Sequence, residues 1–358
     1  MKTSDYWKKR IEKRYQDHFK DYDAYAIRLR NMFYYAREHY NERIEYYIRR
    51  IAANGDITEK EVMKAINGGT LDSYNMNLEE FTKWAQMGDN ASPEILKMLD
   101  DASSLVHISH FQAMTNEMNF IVAELWEEAG KDMLAFTAQK YADNFYHMAK
   151  DLQDLSGKYK RVTGLSKRNI KDILTKPWAP DGKDFSGRIW DNRAKLAAKL
   201  QFELANVVSG TYGEESAAEH IVKLAKEKGA EGFNISLGNA KCLVHSELHH
   251  ALDTGQVAAF KEQGVPKYQF LATLDNKTTP FCQAHDHKVY EITEYQEGVT
   301  APPHGPWCRS FLIPRYDDDE LDNGERAARD PKTGKSVLVS AKLSFPEWYE
   351  GYVENTND

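Results

Sequence analysis

Apolar residues in the first stretch of the chain recur at intervals of three and four: Leu29, Phe33, Ala36, Tyr40, Ile44, Tyr47 and Ile51. That spacing places them on one stripe of a helix. Asn54-Gly55 is a natural stop, because both residues tolerate the left-handed torsions of a helix end. Thr58 with Glu61 reads as a capping box for the next helix. Ser92-Pro93-Glu94 reads as another start, opening a long helix toward Trp126 that Gly130 breaks. Further on, a helix through Ile170, Ile173 and Leu174 should end before Lys176-Pro177-Trp178, and Pro177 to Phe185 forms a turn-rich connector. Ser186 then caps a helix through Trp190, Leu196 and Leu200, another helix ends at Lys228-Gly229, and one more runs through Leu243, Val244, Leu248 and Ala251.

The pattern changes at Lys267 to Leu274, where β-favouring residues alternate and predict a strand. Asp330 to Lys335 reads as a turn between two extended segments. Ser344, Pro346 and Glu347 open a terminal helix that Trp348, Tyr349 and Tyr352 would pin to the domain. The expected fold is mainly α with a small α+β C-terminal module. The expected organisation is a helical region over 1–130, a second helical region over 131–262 and the module over 263–358.

Composition narrows the class. At 358 residues with 41% hydrophobic content, the chain is long enough for several cores. The net charge of −8 argues against a general nucleic-acid binder. The distribution is uneven, however, because residues 1–50 carry 13 Lys and Arg against 8 Asp and Glu. A basic N-terminal arm reads either as a solvated helical face or as a contact for phosphate or an acidic partner. The same 50 residues hold 12 of the 42 aromatic residues, including Tyr34-Tyr35 and Tyr46-Tyr47. Adjacent tyrosines cannot both face one core, so some belong at a boundary or an interface. No apolar run approaches the roughly 18–20 residues of a membrane span, and the N-terminus lacks the apolar core of a signal peptide. Three cysteines in a chain of this length do not make a disulfide framework. The expected setting is a cytoplasm, or a particle assembled in one.

The chemistry concentrates between Thr273 and Pro314. Cys282 precedes His285 and His287, and His304 precedes Cys308. Thiolate and imidazole are the ligands zinc prefers, and two short pairs joined by a loop can close one tetrahedral shell. Cys282, His285, His304 and Cys308 are therefore candidate ligands of one structural zinc that would staple the module, with His287 and Asp286 as second choices. The other reading of the same residues is two buried thiols beside hydrogen-bonded histidines. His245, His249 and His250 form a second cluster, in which the first two share a helix face near Glu247. The order His-Ser-Glu-Leu-His displaces the glutamate by one residue from the zinc-protease pattern, which favours a structural role. Asp275, Asp286 and the acids Asp317 to Glu320 form a loose constellation for a metal-dependent nuclease. The chain has no phosphate-binding loop of the Walker type, no dinucleotide fingerprint and no nucleophile elbow.

A specific resemblance runs through these motifs. Thr273 and Asp275, then Thr278-Thr279-Pro280 and Cys282, then Asp286, Lys288, Val289 and Tyr290, then Pro302-Pro303-His304 and Cys308-Arg309 resemble the C-terminal motif of the phage Mu F-like minor head proteins. The blocks Lys176 to Trp190 and Arg326 to Val353 resemble those of minor capsid proteins from phages of Gram-positive bacteria, and YWKKR near the start and Ser103 to Met114 fit the same family. Many members carry further cysteines near the first position and after the last, where this chain has Phe281 and Ser310. The resemblance implies a non-enzymatic protein of phage head morphogenesis, located in the virion head at the portal vertex and in the host cytoplasm during assembly. It also implies contact with the portal protein, with capsid or scaffolding protein, and with packaged DNA without sequence preference. The competing function is a metal-dependent nuclease or toxin-type effector carrying a Mu F-like module. The 44 residues after Pro314 are too few for a further catalytic domain of that kind.

Overall fold

The computed structural model describes residues 4–54, 110–179, 181–211, 218–316 and 325–353. Five helices come first: α1 (Ser4–Asn54), α2 (His110–Ser156), α3 (Lys167–Leu174), α4 (Phe185–Thr211) and α5 (Ala218–Gln263). Then follow β1 (Lys267–Leu271), α6 (Pro280–His285), β2 (Val289–Glu291), β3 (Phe311–Arg315), β4 (Glu325–Arg329), β5 (Ser336–Ser340) and α7 (Phe345–Tyr352). The mainly helical class with a mixed C-terminal part is the one the sequence predicts. The expected helix starts at Thr58 and Ser92, and the acidic run Asp317 to Glu320, lie outside the described residues.

The stripe on α1 faces inward as its spacing requires, with Leu29, Phe33, Tyr40, Ile44 and Tyr47 all buried. Two expected helix ends are not ends. The helix α2 continues through Gly130, and α5 continues through Gly229. In both cases the glycine makes room for a neighbour. A Cβ at Gly229 would lie 2.3 Å from a ring carbon of Tyr40, and one at Gly130 would touch Ile189 at 3.4 Å. Ser186 also lies inside α4 rather than capping it, because that helix begins at Phe185.

The chain divides into two compact units that are not consecutive segments. One comprises Met1–Tyr25, Met133–Phe185 and Cys242–Asp358, and the other comprises Ala26–Asp132 and Ser186–Lys241. The long helices α1, α2 and α5 each contribute residues to both.

In the second unit, Phe33 meets Trp126 edge-on at 5.6 Å and Tyr40 meets Phe233 at 5.6 Å. Arg43 pairs with Glu117, and Lys226 reaches Glu45. The first unit contains the strands. The strand β1 is central in an antiparallel sheet of order β2-β1-β3, with Tyr268 opposite both Tyr290 and Pro314. The strands β4 and β5 form a separate hairpin whose turn, Asp330 to Lys335, is fixed by the Asp330 carboxylate accepting from the amides of Lys332 and Thr333. Leu274, expected at the end of β1, instead bridges to Ala328 of β4. Leu274, Ala328, Val339, Phe345 and Trp348 form one buried cluster. Ser344 and Glu347 form the expected capping box of α7. Of the three aromatic residues expected to pin that helix, Trp348 is fully buried, while Tyr349 and Tyr352 are exposed.

Helix α5 crosses α2 at close range through Gly255, where a Cβ would lie 2.6 Å from the carbonyl oxygen of Tyr141. Because the obstacle is backbone, Gly255→Ala should destabilise the protein by roughly 1–3 kcal/mol, the usual cost of overpacking. Gly238→Ala in the same helix meets nothing within 4 Å and should stabilise by about 0.5–1 kcal/mol. Denaturant unfolding of both variants checks the contrast.

Candidate functional site

The motif residues of the first unit gather where β1, α6, β3 and the buried face of α5 meet. Thr279 caps α6 by accepting from the amide of Cys282, which places Cys282 at the buried side of that helix. Cys308 comes from the loop before β3, and its sulfur lies 3.9 Å from that of Cys282. A hydrogen bond from Cys308 holds the Cys282 thiol down at about 6 against the effect of burial. The same interaction, with burial, pushes Cys308 well up. A cavity of about 460 Å³ is lined by both cysteines and by His245, Lys277, Trp307 and Arg309.

The structure does not assemble the expected zinc shell. His285 and His304 do not converge with the two cysteines. Both imidazoles stack face-on against Phe281, His285 at 4.0 Å and His304 at 3.7 Å between ring centroids. Two rings at those distances must occupy opposite faces of the phenyl group. One zinc ion, which needs each nitrogen within about 2.0–2.1 Å, cannot take both with Phe281 between them. Each histidine Nδ1 instead pairs with a backbone carbonyl, His285 with Phe281 at 2.7 Å and His304 with Gly298 at 3.0 Å. Among the described residues, no group of three or more His, Cys, Asp or Glu side chains is placed to hold a metal ion.

The second-choice ligands belong to an arginine. The guanidinium of Arg326 on β4 donates to both Asp286 oxygens, at 2.9 and 3.1 Å. It also donates to the carbonyls of Ala272 and Leu343 and lies 2.8 Å from His287 Nε2. Asp286 in turn accepts from the amides of Ala272 and Phe345, both at 2.8 Å. This buried hub ties β1, α6, β4 and α7 together. A guanidinium in that position repels a second cation and occupies both Asp286 oxygens. Asp275 is treated alike. Arg309 grips both its oxygens, and Thr278 and the amide of Lys277 donate to it as well. Burial pushes the Asp275 carboxyl up, but Arg309 outweighs it and the net direction is down. The two described members of the nuclease constellation are thus each matched to an arginine.

The histidines of α5 are equally engaged. His245 packs among Phe19, Tyr22 and Trp307 at 4.7, 5.4 and 4.6 Å. Burial there lowers it to about 3. His249 points its Nε2 at the carbonyl of Ser310, 2.7 Å away, and its Nδ1 lies 3.2 Å from Asp253, which also accepts from Tyr15. His250 contacts Glu297 at 2.7 Å and stacks on Trp178, whose indole N–H donates to Glu247. Gln256 donates to the carbonyl of Leu312. The polar stripe from His249 to Gln256 therefore fastens α5 to the segment carrying β3 and to α1. Arg326, Glu297 and Trp178 were not legible as partners from the sequence.

Residues 199–313 match the family described as Phage Mu protein F like protein. That span is about a third of the chain and runs from within α4 to within β3, covering the cysteine pair, Asp275, Asp286 and Arg309. No curated protein and no solved structure matches the chain significantly.

Proposed function

We propose that this chain, phage Mu F-like over residues 199–313, acts in phage head morphogenesis as a minor capsid protein at the portal vertex. The observation that carries the reading is the family match, which falls on the same motif that Thr273 to Arg309 presents in sequence. The engagement of Asp275 and Asp286 by Arg309 and Arg326 supports a binding and scaffolding role over metal-dependent hydrolysis. No helix among the described residues is long and apolar enough to cross a membrane.

The portal-facing surface is assigned to the outer side of α1. Tyr34, Tyr35 and Tyr46 are 50%, 70% and 45% exposed there, an unusual amount of aromatic surface to leave in water. The N-terminal cations support DNA contact less well, because several are neutralised within the fold. Arg10 and Arg14 meet Asp151, Arg28 meets Asp132, and Arg43 meets Glu117. Capsid or scaffolding protein and non-specific DNA remain further partners of the same proposal.

Deleting residues 1–50 would not test this, since Trp7, Ile11, Tyr15 and Leu29 are core. The test is co-purification with the portal protein of the same phage, using Tyr34→Ser, Tyr35→Ser and Tyr46→Ser together. The triple variant should keep the thermal midpoint of the parent and bind the portal at least about tenfold more weakly, as loss of exposed aromatic anchors does. Unchanged binding rejects the surface, and absence of any binding by the parent chain rejects the portal assignment.

A further inference from the structure

We propose that Cys282 and Cys308 form a reversible redox modification site, closing to an intramolecular disulfide on reaction with a small-molecule disulfide. The inference stands on the placement of the two sulfurs and is independent of the head-protein reading. The two sulfurs lie 3.9 Å apart, although 25 residues separate them in sequence. A disulfide needs about 2.05 Å. The remaining distance, roughly 2 Å, is what a change of side-chain rotamer provides. Cys308 sits in a loop rather than in a helix or strand, and its backbone is held by neighbouring hydrogen bonds, so the approach needs only side-chain rotation.

The surroundings suit a redox pair better than a metal shell. His285 and His304, the other members of the expected zinc set, are stacked on Phe281 and hydrogen-bonded to carbonyls. The cavity of about 460 Å³ lined by both cysteines gives a reagent a way in. Lys277 on its wall favours an anionic reagent such as oxidised glutathione, while the charge of Arg309 is matched by Asp275. Cys242, the third thiol, is bonded to neither and is a built-in control.

The chemistry is thiol–disulfide exchange. One cysteine thiolate attacks the reagent disulfide, its S–S bond breaks, and one reagent thiol leaves with a proton. The second cysteine thiolate then attacks the mixed disulfide and releases the second reagent thiol. Two electrons pass from the protein to the reagent, and the protein loses two hydrogens. In a reducing compartment the pair stays open, and in an oxidising one it closes.

The experiment treats the full chain with oxidised glutathione and counts free thiols after denaturation. The count should fall from three to one, and peptide mass mapping should show Cys282 joined to Cys308. The Cys242→Ser variant should fall from two thiols to none. The Cys308→Ser variant should form no internal bond. The thermal midpoint should rise on oxidation and return when reductant is added. Three retained thiols, or glutathione adducts on separate cysteines without a cross-link, would overturn the proposal. Thiols shielded by co-purified zinc, and released together with it by a chelator, would overturn it in favour of the metal.

Discussion

Replacing Arg326 with methionine should destabilise the protein by about 3–5 kcal/mol, the cost of leaving a buried carboxylate without its countercharge. Arg326 is 6% exposed and Asp286 is 9% exposed, so water cannot take the place of the missing guanidinium. The loss reaches further than one ion pair. Arg326 also satisfies the carbonyls of Ala272 and Leu343, and Asp286 satisfies the amides of Ala272 and Phe345. Four elements therefore share one polar knot beneath the cluster of Leu274, Phe345 and Trp348. The double variant Arg326→Met with Asp286→Leu removes both charges. It should recover part of the loss but not all, because the orphaned backbone groups remain. Urea unfolding of the two single variants and the double variant measures this. A single variant within about 0.5 kcal/mol of the parent, the range of ordinary surface substitutions, would show that the hub is not a structural centre.

Acid should weaken the protein well above the range in which carboxylates titrate. Burial, the largest cause, lowers His18 to about 4 and His245 to about 3 from an ordinary value of 6.5. A histidine held neutral in the folded state gives stability that is fully present above 6.5 and is lost as pH falls toward the folded value. The slope is roughly 1.4 kcal/mol per pH unit for each group. Between pH 6.5 and 4 the two histidines together should remove on the order of 5–7 kcal/mol. His249 and His250 have the opposite sign. Burial pushes each down, but Asp253 and Glu297 outweigh it and raise them. Their contribution is complete below 6.5 and fades as pH rises through the folded values, which places the stability maximum near neutrality. The variant His245→Phe should stack on Phe19 and Trp307 without a proton to take up, and should flatten the acid limb. Equal acid sensitivity in that variant and the parent would remove His245 from the account.

The parts of the fold governed by local chemistry were legible in the sequence. The stripe from Leu29 to Tyr47, the capping box at Ser344 and Glu347, the turn at Asp330 and the strand from Lys267 each follow from spacing or from a single turn residue. Glycines misled for a physical reason. A glycine that ends a helix and one that admits a neighbour look identical in one sequence, and only the ring of Tyr40 against Gly229 distinguishes them. The site was half legible. Cys282 and Cys308 do meet, as their shared motif suggests, but the ring of Phe281 keeps His285 and His304 apart. Pairing across long separations, such as Asp286 with Arg326 or His250 with Glu297, depends on tertiary packing and leaves no local trace.

The central claim is that the chain is a component of the phage head. The most direct measurement is quantitative mass spectrometry of purified procapsids and virions, from a phage carrying this gene and from one in which it is interrupted. The head-morphogenesis account predicts the protein in procapsids at a fixed ratio to the portal protein, and a fall in filled heads when the gene is interrupted. Normal filled heads that never contain the protein would contradict it, and cleavage of DNA by the purified chain that depends on added metal would point to the nuclease instead.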